Sequence, residues 1–127
     1  MKKHATILVV EDDAPLREAY KTILETAGGY IVWQAEDGQQ ALSILRDNGT
    51  DPNVILLDLR MPVLDGIGFL RQYKPAEHPN CTVVVFSNYD AHKDIDEAYS
   101  LGVDRYVLKA RMSPKDLLHL IDGILND

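Results

Sequence analysis

NVILLDLRMPVLDG, residues Asn53 to Gly66, is the stretch on which the fold of this chain turns. Val54-Ile55-Leu56-Leu57 is an apolar run too short and too rich in branched side chains to be a helix of its own. It reads as a strand buried on both faces, as in a parallel sheet. The run ends in a carboxylate, Asp58. Met61-Pro62 cannot continue a central strand, and Asp65-Gly66 signals a turn or a helix start. An acid at the carboxyl end of a buried strand, followed by a loop, stands where open α/β sheets place their ligand sites. Alone, Asp58 could equally cap the next helix; the rest of the chain has to decide.

Working outward, the same pattern recurs. Ala5 to Val10 is a short β-branched run that ends in Glu11-Asp12-Asp13. From Pro15 a helix is expected, Pro being harmless at an early helical position. Leu16, Ala19, Tyr20, Ile23, Leu24 and Ala27 form its apolar stripe, and Gly28-Gly29 ends it. Tyr30 to Trp33 reads as a second strand. Asp37-Gly38 opens a second helix with Ala41, Leu42 and Leu45 inward, closed by Asn48-Gly49. A short third helix follows Asp65, using Ile67 and Leu70, and Lys74 to Asn80, with two prolines, reads as a loop. Thr82 to Phe86 is the second strongly buried strand and runs into Ser87. A sparsely apolar fourth helix, about Ala91 to Leu101, has Ile95, Ala98 and Tyr99 as its stripe. Arg105 to Leu108 is a fifth strand ending at Lys109. Ser113-Pro114-Lys115-Asp116 is a variant capping box opening a last helix, buried through Leu117, Leu118, Ile121, Ile124 and Leu125. Strand and helix alternate five times, which implies a parallel sheet with helices on both faces and right-handed crossovers.

Composition narrows the function. The 127 residues are enough for one domain with a full core. The net charge of −7 and the lack of a basic cluster argue against direct binding of nucleic acid or anionic lipid. The single cysteine, Cys81, leads into an apolar run; it is expected as a buried thiol in a reducing, cytoplasmic setting. No stretch reaches the length of a membrane span, and the amino terminus has no signal-peptide apolar region. The histidines have no metal-ligand spacing.

In a parallel sheet all carboxyl strand ends share one edge. Strand one then delivers Glu11 and Asp12, strand three Asp58, strand four Ser87 and strand five Lys109. Each has an ordinary reading as a cap or a solvated surface group; together at strand ends they describe a crevice. Clustered carboxylates hold their protons tightly unless a cation is present. A hard divalent ion with oxygen ligands, Mg²⁺ above all, resolves this. One carboxylate can then attack phosphorus, while metal, lysine and hydroxyl neutralise the phosphoryl oxygens. No glycine-rich phosphate loop follows strand one, and no histidine stands in a motif that would make Ser87 an acyl-transfer nucleophile.

Ile7 to Asp13, Leu57-Asp58-Leu59-Arg60-Met61-Pro62 with Asp65-Gly66, Phe86-Ser87 and Tyr106-Val107-Leu108-Lys109 resemble, in order and spacing, the receiver domain of two-component response regulators. The resemblance covers essentially the whole chain. It implies a flavodoxin-like (βα)5 three-layer sandwich with a parallel five-stranded sheet of order 2-1-3-4-5. It implies that Asp58 is the phosphoacceptor, supplied by a histidine kinase phosphohistidine, a phosphotransfer protein or a small phosphodonor. Asp12 would bind Mg²⁺ directly, Glu11 through water, and Arg60 through its backbone carbonyl. Ser87 and Lys109 would hold the phosphoryl oxygens. Tyr106 would turn inward as Ser87 moves toward the phosphate. Helix four, strand five and helix five would present the result to a downstream effector, an output domain or a second copy of the chain. The protein would catalyse only its own phosphorylation and dephosphorylation. Where the family places proline after its lysine, this chain has Ala110; a non-proline cis bond costs about 3 kcal/mol, so a trans bond is expected, with Lys109 held differently. Arg60 and Tyr89 flank the site, and a long cation beside an aromatic points to slow loss of phosphate. Two other classes compete: a constitutive interaction module without phosphotransfer, and a hydrolase working through an aspartyl phosphate. The intact acid, hydroxyl and ammonium set speaks against the first, and the lack of room for a cap against the second.

Overall fold

The computed structural model describes residues 5–87 and 92–126. Their strands are β1 (Thr6–Val10), β2 (Ile31–Ala35), β3 (Val54–Leu57), β4 (Thr82–Ser87) and β5 (Arg105–Leu108). The helices between and after them are α1 (Ala14–Thr26), α2 (Gly38–Asn48), α3 (Gly66–Tyr73), α4 (His92–Ser100) and α5 (Pro114–Leu125). The five strands form one sheet in the order β2-β1-β3-β4-β5, and every pairing is parallel. This is the flavodoxin-like arrangement expected.

The alternation of side chains across each strand divides the core into two layers. Leu8, Val10, Ile55, Leu57, Val83 and Val85 face one way and pack on Ala41 of α2, Phe69, Leu70 and Tyr73 of α3, and Ala98 of α4. Ile7, Val9, Val54, Leu56, Val84 and Phe86 face the other way, onto Tyr20 and Leu24 of α1 and Leu117, Leu118, Ile121 and Leu125 of α5. Because β1, β3 and β4 are covered on both faces, their sequences read as unbroken apolar runs. Emptying either layer, as in Phe69→Ala, removes about 3–5 kcal/mol.

The helix ends follow their local chemistry. Asp13, Asp37, Asp65 and Ser113 each accept a hydrogen bond from a backbone N–H in the first turn of the helix they precede. The cap of α3 is therefore Asp65, which leaves Asp58 free of that structural duty. Gly49, at φ 70°, closes α2 in the left-handed region where glycine carries no penalty.

Four expectations need correction. The second strand lies at Ile31–Ala35 and not at residues 30–33, because Ile31 to Ala35 pairs residue for residue with Thr6 to Val10. Residues 74–80 are not all loop: Lys74 turns left-handed at φ 56° and Pro75–Glu77 form one 3₁₀ turn. In α1, Ala27 is exposed because it is the C-cap and already leaves the packed face. In α4, Tyr99 is 47% exposed; Ala98 is the contact with the core, and Ile95 is half-buried. Tyr89 and Ala91, to which sequence reading gave places, lie outside the described residues.

Candidate functional site

The strand order reverses between β1 and β3, so the crevice of the sheet opens at their carboxyl ends. The ladder continues one residue past each strand there. Glu11 N–H donates to the Ala35 carbonyl at 3.0 Å, and Asp58 N–H donates to the Val10 carbonyl at 3.1 Å. These bonds set both acids at the sheet edge before any side chain is considered. Arg17 Nη1 donates to the Glu11 carbonyl at 2.7 Å and ties that end of β1 to α1. Sequence reading had no signal for this role of Arg17.

Glu11 and Asp58 are buried, while Asp12 is exposed at the rim. Carboxylate oxygens of Glu11, Asp12 and Asp58 all lie within 4.8 Å of one another. Asp13, the fourth acid of that corner, is turned away to cap α1. Lys109 follows β5, and its side chain is only 9% exposed. The Lys109 ammonium lies against Glu11 Oε1 and 3.2 Å from Asp58 Oδ2, and it sits 5.5 Å from the centre of the Phe86 ring. Arg60 N–H donates to Asp58 Oδ1 at 3.2 Å, so each oxygen of Asp58 has one described hydrogen-bond donor, a neutral amide on Oδ1 and the ammonium on Oδ2. Ser87, the last residue of β4, is buried. Of the residues expected at the crevice, Glu11, Asp12, Asp58 and Lys109 come together, and Ser87 ends the neighbouring strand β4.

Lys109 reaches the acids through a trans Lys109–Ala110 bond, since the described residues contain no cis peptide. Lys109–Arg111 form a 3₁₀ turn that carries the chain toward α5. The departure at Ala110 therefore leaves the ammonium at the acids. Tyr106 stands opposite Val85 in the ladder, half-buried on the layer that contains α4.

Gly66 has a role that its reading as a helix start missed. A Cβ there would come within 2.7 Å of both the Asp58 carbonyl oxygen and Leu59 Cα. Gly66 N–H also donates to the Leu59 carbonyl at 3.0 Å. Only a residue without a side chain lets α3 begin against the back of the Asp58 backbone.

The electrostatics follow from burial. Desolvation pushes the Glu11 and Asp58 carboxyls above their ordinary range; the charge of Asp58 adds to the rise at Glu11, and that of Asp12 to the rise at Asp58. Lys109 opposes both shifts, helped by the Asp13 N–H at Glu11 and the Arg60 N–H at Asp58. Desolvation alone would lower the Lys109 ammonium, but its bonds to Glu11 and Asp58 outweigh this and raise it. One ammonium thus serves two buried acids. An all-oxygen set of three acids short of positive charge fits a hard divalent ion such as Mg²⁺.

Comparison with known proteins shows the family. Residues 7–122 match the model of the response regulator receiver domain, and the chain belongs to that family. It is 34% identical over 119 residues to the probable transcriptional regulator ycf27 of Porphyridium aerugineum, covering 94% of this chain and 47% of that protein. It is 35% identical over 115 residues to the nitrate/nitrite response regulator protein NarL of Escherichia coli strain K12, covering 90% of this chain and 51% of that one. The chain thus spans about half the length of these curated relatives. Among solved structures, a CheY-like receiver domain protein of Methanospirillum hungatei JF-1 superposes with a TM-score of 0.86 at 26% identity, over 98% of this chain and 95% of that one.

Proposed function

We propose that the protein is a phosphorylation-controlled signalling switch that accepts a phosphoryl group on Asp58. The observation that carries this reading is the Asp58 carboxylate itself: 5% exposed, held through one oxygen by the Arg60 N–H and through the other by Lys109. A carboxylate oxygen of Asp58 attacks the phosphorus of a phosphohistidine. The P–N bond breaks as the P–O bond forms, and the imidazole leaves with its electron pair and takes a proton from solvent. With an acyl phosphate, the bond that breaks is P–O and the carboxylate leaves. Lys109 neutralises the transferred phosphoryl oxygens, and the Ser87 hydroxyl, buried at the end of β4, donates to one of them. Glu11, Asp12, Asp58 and the Arg60 carbonyl would hold Mg²⁺, which supplies the remaining positive charge on the phosphoryl group.

The donor is a sensor histidine kinase or a phosphotransfer protein in the cytoplasm. The α4-β5-α5 face, with Tyr106 on β5, carries the change to an effector, an output domain or a second copy. The names of the relatives as transcriptional regulators support an output that acts on transcription. Beyond its own phosphorylation and dephosphorylation the protein catalyses nothing, and phosphate loss is slow; a phospho-Asp58 lifetime of seconds would contradict the latter.

The test is mass spectrometry after incubation with acetyl phosphate, with and without Mg²⁺, on wild type and Asp58→Asn. A Mg²⁺-dependent gain of one phosphoryl group that the variant lacks is the expected result. No gain from acetyl phosphate or from a panel of kinases would leave a constitutive interaction module in its place.

A further inference from the structure

Arg60 is bound at both ends to features that phosphorylation concerns. Its N–H is on Asp58 Oδ1 at 3.2 Å, and its Nη2 lies 3.4 Å from Asp94 Oδ2 in the first turn of α4. A second ion pair, Arg71 of α3 with Glu97 of α4, lies one helical turn further along. Few apolar side chains hold α4: Ala98 is buried, Ile95 half-buried, and Tyr99 faces solvent. Among the described residues, two ion pairs thus link α4 to the loop after β3 and to α3.

From this we infer that the Arg60 guanidinium is shared between two anions, Asp94 when Asp58 is unmodified and the phosphoryl group when it is phosphorylated. The inference rests on the phosphoacceptor reading above. An arginine whose backbone starts at the Asp58 carboxylate has a side chain long enough to lie over a group attached there. The Asp94 pair is mostly exposed at its arginine end, 57% for that side chain, so water and salt screen it and it holds weakly. A phosphoryl group in the crevice carries more charge, more acceptor oxygens and less solvent, and it binds a guanidinium fork more strongly. Asp94 loses little when Arg60 leaves, because an acid in the first turn of a helix keeps the favourable helix dipole. Charge arriving at Asp58 thereby loosens one of the ion pairs that α4 makes among the described residues. Arg60 is a positioning residue in this scheme, linking the site to α4.

Coupling between two anions for one cation is reciprocal. Removing Asp94 must therefore strengthen the hold on a phosphoryl mimic, and only while Arg60 is present. The experiment is calorimetric titration of the protein with beryllofluoride at saturating Mg²⁺, on wild type, Asp94→Asn, Arg60→Gln and the double variant. Asp94→Asn is expected to tighten binding about two- to fivefold, the range set by a partly exposed ion pair, and to have no effect in the Arg60→Gln background. Equal tightening in both backgrounds would mean simple relief of repulsion and would overturn the inference, as would no tightening in wild type. Failure of wild type to bind beryllofluoride at all would remove the phosphoacceptor reading, and this inference with it.

Discussion

At the scale of the residue, Val63 shows how the site loop is held. It lies five positions after Asp58, is 83% exposed, and has a φ of 68°. The Leu64 N–H donates to the Pro62 carbonyl at 2.8 Å, which makes Val63 the centre of a γ-turn. A β-branched residue is rarely found there, and the left-handed region costs a non-glycine residue about 1–2 kcal/mol. No buried contact of its side chain offsets that cost; the neighbouring Gly38 N–H to Leu64 carbonyl bond, at 2.8 Å, holds the turn in place. Val63→Gly should relieve the strain and lose part of the gain to chain entropy, for a net stabilisation of about 0.5–1 kcal/mol. Urea unfolding checks this as a higher midpoint at unchanged slope.

At the scale of the element, α5 depends on its first turn. Ser113 Oγ accepts from the Asp116 N–H, and Asp116 Oδ2 accepts from the Ser113 N–H, both at 3.1 Å. The box predicted from four residues is present with Asp in place of Glu. Ser113→Ala should cost about 1 kcal/mol, read as a lower melting temperature. The Ser113 N–H, and then its side chain, hold the Asp116 carboxyl below its ordinary range. Its cap contribution is therefore present above the ordinary carboxylate pKa and is lost as pH falls through the depressed folded value. The gap between wild type and Asp116→Asn should close on the acid side of the unfolding profile; a gap that persists there would show that the charge of Asp116 is idle.

At the scale of the whole molecule, the fold holds two acids in a buried crevice that one lysine cannot fully balance. The sign of the pH effect follows from the raised Glu11 and Asp58 carboxyls. Between the ordinary carboxylate range and their raised folded values, the native state binds more protons than the unfolded state, so stability falls as pH rises through that window. Asp58→Asn should consequently stabilise the metal-free protein at neutral pH by about 1 kcal/mol or more, roughly 3–6 °C in melting temperature. The advantage should shrink below the raised carboxyl values, and shrink also as Mg²⁺ is added, because the ion binds the folded wild type and stabilises it by mass action. Calorimetry across pH, with and without Mg²⁺, reads both effects. An Asp58→Asn protein less stable than wild type at neutral pH would mean that the Lys109 pair outweighs the burial of charge.

The local sequence was enough for the class of fold and for expecting Glu11, Asp12, Asp58 and Lys109 at one sheet edge. Buried parallel strands such as Val54–Leu57 and Thr82–Ser87 announce themselves as apolar runs because both of their faces are covered. In a parallel sheet the residue that ends each run is then carried to one edge, which is why Glu11, Asp58, Ser87 and Lys109 could be grouped before any contact was known. Caps such as Ser113 were legible because their partners stand three residues away. Contacts made across the fold had no such signature. The meeting of Arg60 with Asp94 spans 34 residues. The turning outward of Tyr99, the strain at Val63 and the need for glycine at position 66 belong with it. These depend on how closely packed helices and strands approach one another, and only the tertiary structure sets that distance.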